Sequence, residues 1–144
     1  MHKTRSVYNT FYKKLSLLKA SSLVNDVVKT GVDTEQEMPI ISVIIGPDNP
    51  EEFTKEIYQH DLTIYTDISV RQSNTSLDDQ TINIRELIER HVLNIGNMGL
   101  DYVFKIDFVG EDAPDYNGEG VDYSSTTRLE WLIEYHSPHN NPSI

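Results

Sequence analysis

The sequence predicts an α+β fold in a single domain, and three patterns carry that expectation. Residues 5–19 and roughly 78–96 space their apolar side chains three and four apart, as one face of a helix does. DLTIYTDISVRQ, LDYVFKIDFV and RLEWLIEYHSP alternate apolar with polar residues, the period of a half-buried strand. PIISVIIGP adds a β-branched run bounded by proline and glycine, which reads as a buried strand. The expected order is α(α)-β-β-α-β-β, with a mostly antiparallel sheet of four or more strands packed by helices on one face.

The first helix draws its stripe from Tyr8, Phe11, Leu15 and Leu18. Ser21 and Ser22 interrupt it, and Ser22 is placed to cap a second short helix, LVNDVVK, ended by Gly31. VDTEQEM is a polar connection to the Pro39–Pro47 strand. DNPEEFTKEIYQ reads as a turn with one helical turn in it. The strand that follows sends Leu62, Ile64, Ile68 and Val70 one way, and Thr63, Tyr65, Asp67, Ser69 and Arg71 the other. The 78–96 helix buries Ile84, Leu87, Ile88 and Ile95 and stops at Gly96 or Gly99. His91 beside that stripe reads as a core-edge histidine with a hydrogen-bond partner. In 100–109, Leu100, Tyr102, Phe104, Ile106 and Phe108 share a face. GEDAPDYNGEG is an acidic, turn-rich loop. The closing strand points Leu129, Trp131, Ile133 and Tyr135 to the core, and Arg128, Glu130, Glu134 and His136 outward. It reads as a sheet edge, with Glu130 and Glu134 either as guards against pairing or equally as interface groups, before a short polar tail, 137–144. The predicted core is Leu62, Ile64, Ile68, Phe104, Ile106, Trp131 and Ile133 under Phe11, Leu15, Leu87 and Ile88.

A chain of 144 residues fits one domain able to bury a core. It has no cysteine, which excludes disulfides, thiolate metal sites and cysteine nucleophiles. No apolar run is long enough to span a bilayer, and the basic start MHKTRSVYNTFYKK lacks the apolar segment of a signal peptide. The net charge is −11 and unevenly placed. Residues 1–30 hold six basic groups against Asp26 alone, a net +5; residues 31–144 hold six against 22 acidic ones, a net −16. A basic helical arm on an acidic body points to docking against an oppositely charged neighbour, another copy included. The acidic body disfavours tight nucleic-acid binding.

No catalytic constellation stands out. GPDNPEEF lacks the spacing and the Lys-Ser/Thr ending of a phosphate loop. Asp78 and Asp79 suit a helix start. GEDAPDYNGEG lacks the ligand order of a calcium loop. His136 and His139 have a metal-site spacing but no supporting ligand pair. Asp101, Lys105 and Asp107 are the residue types of a metal-dependent nuclease, and equally of a solvent-facing strand. The expectation is therefore no enzyme, no cofactor and no metal, with a small nuclease as the enzymatic alternative and a cellular adaptor module as a third reading.

Four stretches together resemble the tail terminator (tail completion) proteins of long-tailed bacteriophages: VVKTGVDTEQEMPIISVIIG, DLTIYTDISVRQ, IRELIERHVLNIGNMGLDYVFKIDFVG and TTRLEWLIEYH. The resemblance lies in element order and pattern and spans most of the chain; DNPEEF is shorter than the insertions of some relatives. It implies a virion protein assembled in the host cytoplasm that forms a ring, usually a hexamer. The ring caps the tail tube, ends its polymerisation and meets the neck. Implied partners are the protein itself, tail tube protein, a neck or connector protein, and sheath protein in a contractile tail, with DNA only passing through. Neck and head-completion proteins of the same viruses share similar folds and are the alternative. The charge split nominates Lys13, Lys14 and Lys19 as basic interface residues, and Glu111, Asp112, Asp115 and Glu119 as the acidic docking loop.

Overall fold

The computed structural model describes residues 3–29, 37–118 and 123–138. It is an α+β domain in which two helices cover one face of a mixed six-stranded sheet. Helix α1, Lys3–Ser16, buries Val7, Phe11 and Leu15, one residue per turn. A 3-10 turn, Leu17–Ala20, follows and closes where the Ser21 N–H donates to the Leu18 carbonyl at 2.9 Å.

The expected second helix is absent, and its residues form a strand. Asp26–Val28, β1, pairs in parallel with β2, Ile40–Glu52, placing Val27 beside Ile41. Val27 and Val28 are β-branched and hold a helix weakly. The Val27 carbonyl accepts from the Tyr12 hydroxyl at 3.1 Å, so tertiary contacts decide the local conformation. This is the sheet's parallel pairing, and the sheet is mixed for that reason. Gly31 lies outside the described residues.

Strand β2 also runs past the expected stop at Pro47, so DNPEE is strand and not turn. It pairs antiparallel with β3, Ile57–Arg71, with an irregularity between Ile45 and Asp48. A Cβ on Gly46 there would lie 2.9 Å from the Thr63 carbonyl oxygen, so only glycine lets the two backbones approach this closely. Pro47 and Pro50 are tolerated because, among the described residues, β2 beyond Ser42 has a partner on one side only.

Helix α2, Leu77–Ile95, starts with the Ser76 hydroxyl accepting from the Asp79 N–H at 3.2 Å and ends at Gly96, φ 55°. Ile84, Ile88 and Val92 are buried, while Leu87 and Ile95 are partly so. His91 Nε2 donates to the Lys14 carbonyl at 2.6 Å and ties α2 to α1, as its expected core-edge role requires.

The sheet order is β1-β2-β3-β6-β4, where β4 is Val103–Glu111 and β6 is Ser124–Pro138; β5, Asp115–Asn117, also pairs with β6. The closing strand β6 is thus interior, not an edge. Glu130 and Glu134 lie on the open sheet face and guard no edge. Its alternation is as expected: Leu129, Trp131, Ile133 and Tyr135 are all buried. Strand β4 departs from its pattern. Irregularities between Val103 and Lys105 and between Phe108 and Gly110 each break the alternation. Phe104, expected in the core, is turned out and 58% exposed. Ile106 is only partly buried, and Phe108 stays on the helix side against Trp131, ring centroids 5.2 Å apart. Among the described residues no helix is long and apolar enough to cross a membrane.

Candidate functional site

The structure sorts the basic residues of the first segment. Lys3 is buried beneath the Tyr102 ring, 4.9 Å from its centroid, and that burial lowers its pKa against the opposing pull of Asp101. Lys19 is spent within the subunit, 3.1 Å from Asp26. Lys13 is exposed and Lys14 half-buried. Arg5 and Lys29, which the charge count did not single out, line a cavity of about 650 Å³ with Thr4, Tyr8, Asn9 and Ile45. Lys29 Nζ donates to Asn9 Oδ1 at 2.8 Å and lies over the Tyr8 and Tyr12 rings at 5.6 and 5.1 Å. The Tyr8 hydroxyl is 2.7 Å from the Val43 carbonyl and 3.1 Å from that of Lys29, and burial raises its pKa, keeping it a neutral donor. Among the described residues, neither Arg5 nor Lys29 has a carboxylate at ion-pair distance. The groove therefore combines two cations with an apolar wall, Ile45 being 45% exposed on the open edge of β2.

The acidic residues gather at the opposite edge. Glu111 pairs with Arg85 at 2.6 Å, and Arg85 also holds Glu89 at 3.0 Å, so Glu111 is partly neutralised inside the subunit. Asp112 and Asp115 are exposed, the latter in β5. Asp78, Ile82, Glu111, Asp112, Ala113 and Pro114 line a cleft of about 370 Å³ between the start of α2 and the β4–β5 link. Tyr116 braces this corner, its hydroxyl donating to Asp78 at 3.1 Å, a bond that raises the phenol's pKa. Glu119 lies outside the described residues. Lys13 and Lys14 lie on α1 and Lys19 on the turn after it, and among the described residues no ion pair joins them to Glu111, Asp112 or Asp115.

The open sheet face, uncovered by helices, carries its own ordered charges. Arg128 grips Asp67 through two bonds, 2.8 and 3.1 Å, with its guanidinium 4.5 Å from the Tyr65 ring centroid. Lys105 pairs with Asp107 at 3.1 Å, which raises its pKa. Asp101 precedes β4 and does not join them, so the nuclease residue types do not converge. His136 lies between Phe53 and Phe104, with centroids 4.8 and 4.2 Å away. His139 lies outside the described residues. Among those described, no group of three or more His, Asp or Glu is arranged to hold a metal ion.

One cluster escaped the sequence reading because its members sit far apart in the chain. Asp48 on β2, His60 on β3 and Ser137 on β6 are neighbours across three strands. His60 Nδ1 lies 2.9 Å from Asp48 Oδ2 and its Nε2 2.7 Å from Ser137 Oγ. The Tyr135 ring stacks on the imidazole, centroids 4.5 Å apart, and its hydroxyl bonds both Asp48 Oδ2, at 3.2 Å, and Thr4 of α1. Acid, imidazole and hydroxyl stand in the order used for acyl transfer. Yet Ser137 is 2% exposed and His60 5%, so the hydroxyl that would attack is covered. The cluster fastens α1, β2, β3 and β6 through Asp48 Oδ2, while Asp48 Oδ1 is buried without a hydrogen-bond partner among the described residues.

A scan against protein-family models matches none of them. A search of curated proteins likewise finds no match.

Proposed function

We propose that this protein is a structural component of a long-tailed phage virion, a tail terminator whose ring caps the tail tube and offers a surface to the neck. The reading rests on the resemblance of element order and pattern. The single structural observation that supports it is the unlike pair of sheet edges: β2 with a basic groove on one side, β4 and β5 with an acidic corner on the other. Unlike edges favour head-to-tail contacts between copies, and such contacts make a ring when the rotation closes. A hexamer fits the resemblance. A surplus of carboxylates around a lumen would let DNA pass without adhering. The partners are further copies, tail tube protein, a neck protein and, in a contractile tail, sheath protein.

Deleting the gene in its virus tests the reading. A terminator's loss yields tails of uncontrolled length. Tails of normal length that fail to join heads would instead indicate a neck or head-completion protein. Normal virions would remove both roles.

A further inference from the structure

We infer that the Arg5–Lys29 groove of one copy receives the acidic β4–β5 corner, residues 111–115, of a second copy; this rests on the ring reading above and names the surfaces that would build it. Four observations converge. The groove holds two cations and, among the described residues, no carboxylate to pair with them. The corner carries Asp112 and Asp115 exposed, and Ala113 and Pro114 form a small apolar tip between them. Groove and corner sit on opposite edges of one sheet, so a subunit offers both and can use both at once. The groove also has an apolar wall, Ile45 and Tyr8, that an Ala-Pro tip would cover.

Charge and shape divide the work. Exposed ion pairs are worth little singly, so Asp112 and Asp115 against Arg5 and Lys29 would set register and partner, while burial of Ile45 and Pro114 would hold the contact. Lys29 is already oriented by Asn9 and the two tyrosine rings, which lowers the ordering cost of engaging a carboxylate. Glu111 faces Arg85 and takes a supporting part.

The chain has no cysteine, so introduced ones report without background. Ile45→Cys and Ala113→Cys are made separately, mixed at high protein concentration and oxidised. The inference requires a disulfide-linked heterodimer in the mixture in clear excess over either variant alone. It further requires that Arg5→Glu with Lys29→Glu in the Ile45→Cys chain abolish the cross-link, and that Asp112→Lys with Asp115→Lys in the Ala113→Cys chain restore it. No cross-link, or one indifferent to the charge reversals, overturns it. Mass measurement of the unmodified protein separates the two levels. A ring without this cross-link moves the interface elsewhere and leaves the proposed function standing. The cross-link in open chains that never close keeps the interface and removes the ring.

Discussion

Trp131 shows how one residue serves both packing and polarity. It is 2% exposed, and its Nε1 donates to the Thr66 hydroxyl at 2.9 Å. Trp131→Ala leaves a cavity and an idle hydroxyl, and should cost about 3–5 kcal/mol in urea unfolding; a loss below about 1 kcal/mol would contradict its place in the core. Phe104→Ala, by contrast, should cost under about 1 kcal/mol, since that ring is mostly in water. The alternation of β6 announced Trp131 correctly. The alternation of β4 misplaced Phe104, because an extra residue in the ladder inverts the faces without altering the sequence period. Tyr135 carries a pH dependence. Burial is the main reason its pKa is raised, so the folded state holds the phenol proton beyond the ordinary tyrosine range. Its contribution is therefore complete below about pH 10 and declines as pH climbs further. Tyr135→Phe should cost about 1–2 kcal/mol at neutral pH, through the bonds lost to Asp48 and Thr4, and should make the alkaline decline shallower. An unchanged alkaline profile would mean that other phenols govern it.

The first helix and the β2–β3 hairpin are where element-level reasoning was most tested. The stripe of α1 was legible because spacing alone encodes it. The β1 strand was not, because three residues are too few for a period and their conformation is imposed by β2 and by Tyr12. The length of β2 was hidden by Pro47 and Pro50, which a one-sided strand tolerates and an interior strand does not. The same logic explains the interface residues. Composition marked the first segment as basic, but only folding shows that Lys3 is buried, Lys19 is paired with Asp26, and Arg5 and Lys29 share a groove. The Asp48–His60–Ser137 cluster was invisible for a related reason, since its spacing exists only across paired strands. Its burial predicts that a fluorophosphonate probe will not label the folded protein; labelling lost in Ser137→Ala would instead mark a hydrolase. At the irregularity within β2, Gly46→Ala should destabilise by about 1–3 kcal/mol, because the added methyl meets backbone at Thr63. An unchanged urea midpoint would show that β2 can move aside.

At the scale of the molecule, the helices cover one sheet face and leave the other charged and open, with unlike edges to either side. That geometry suits an object that repeats around an axis. Reversing Arg5 and Lys29 to Glu should leave the subunit folded, since neither is in the core cluster, while tails become irregular in length or fail to join heads; normal virions would remove the groove from assembly. The central claim, a ring that caps a tail tube, is tested most directly by electron microscopy of tubes grown from tail tube protein with and without this protein. The predicted result is a closed ring at one end of each tube and a tube-length distribution that narrows as the protein is added. Bare tube ends and an unchanged length distribution, with the protein monomeric at the same concentration, would contradict it.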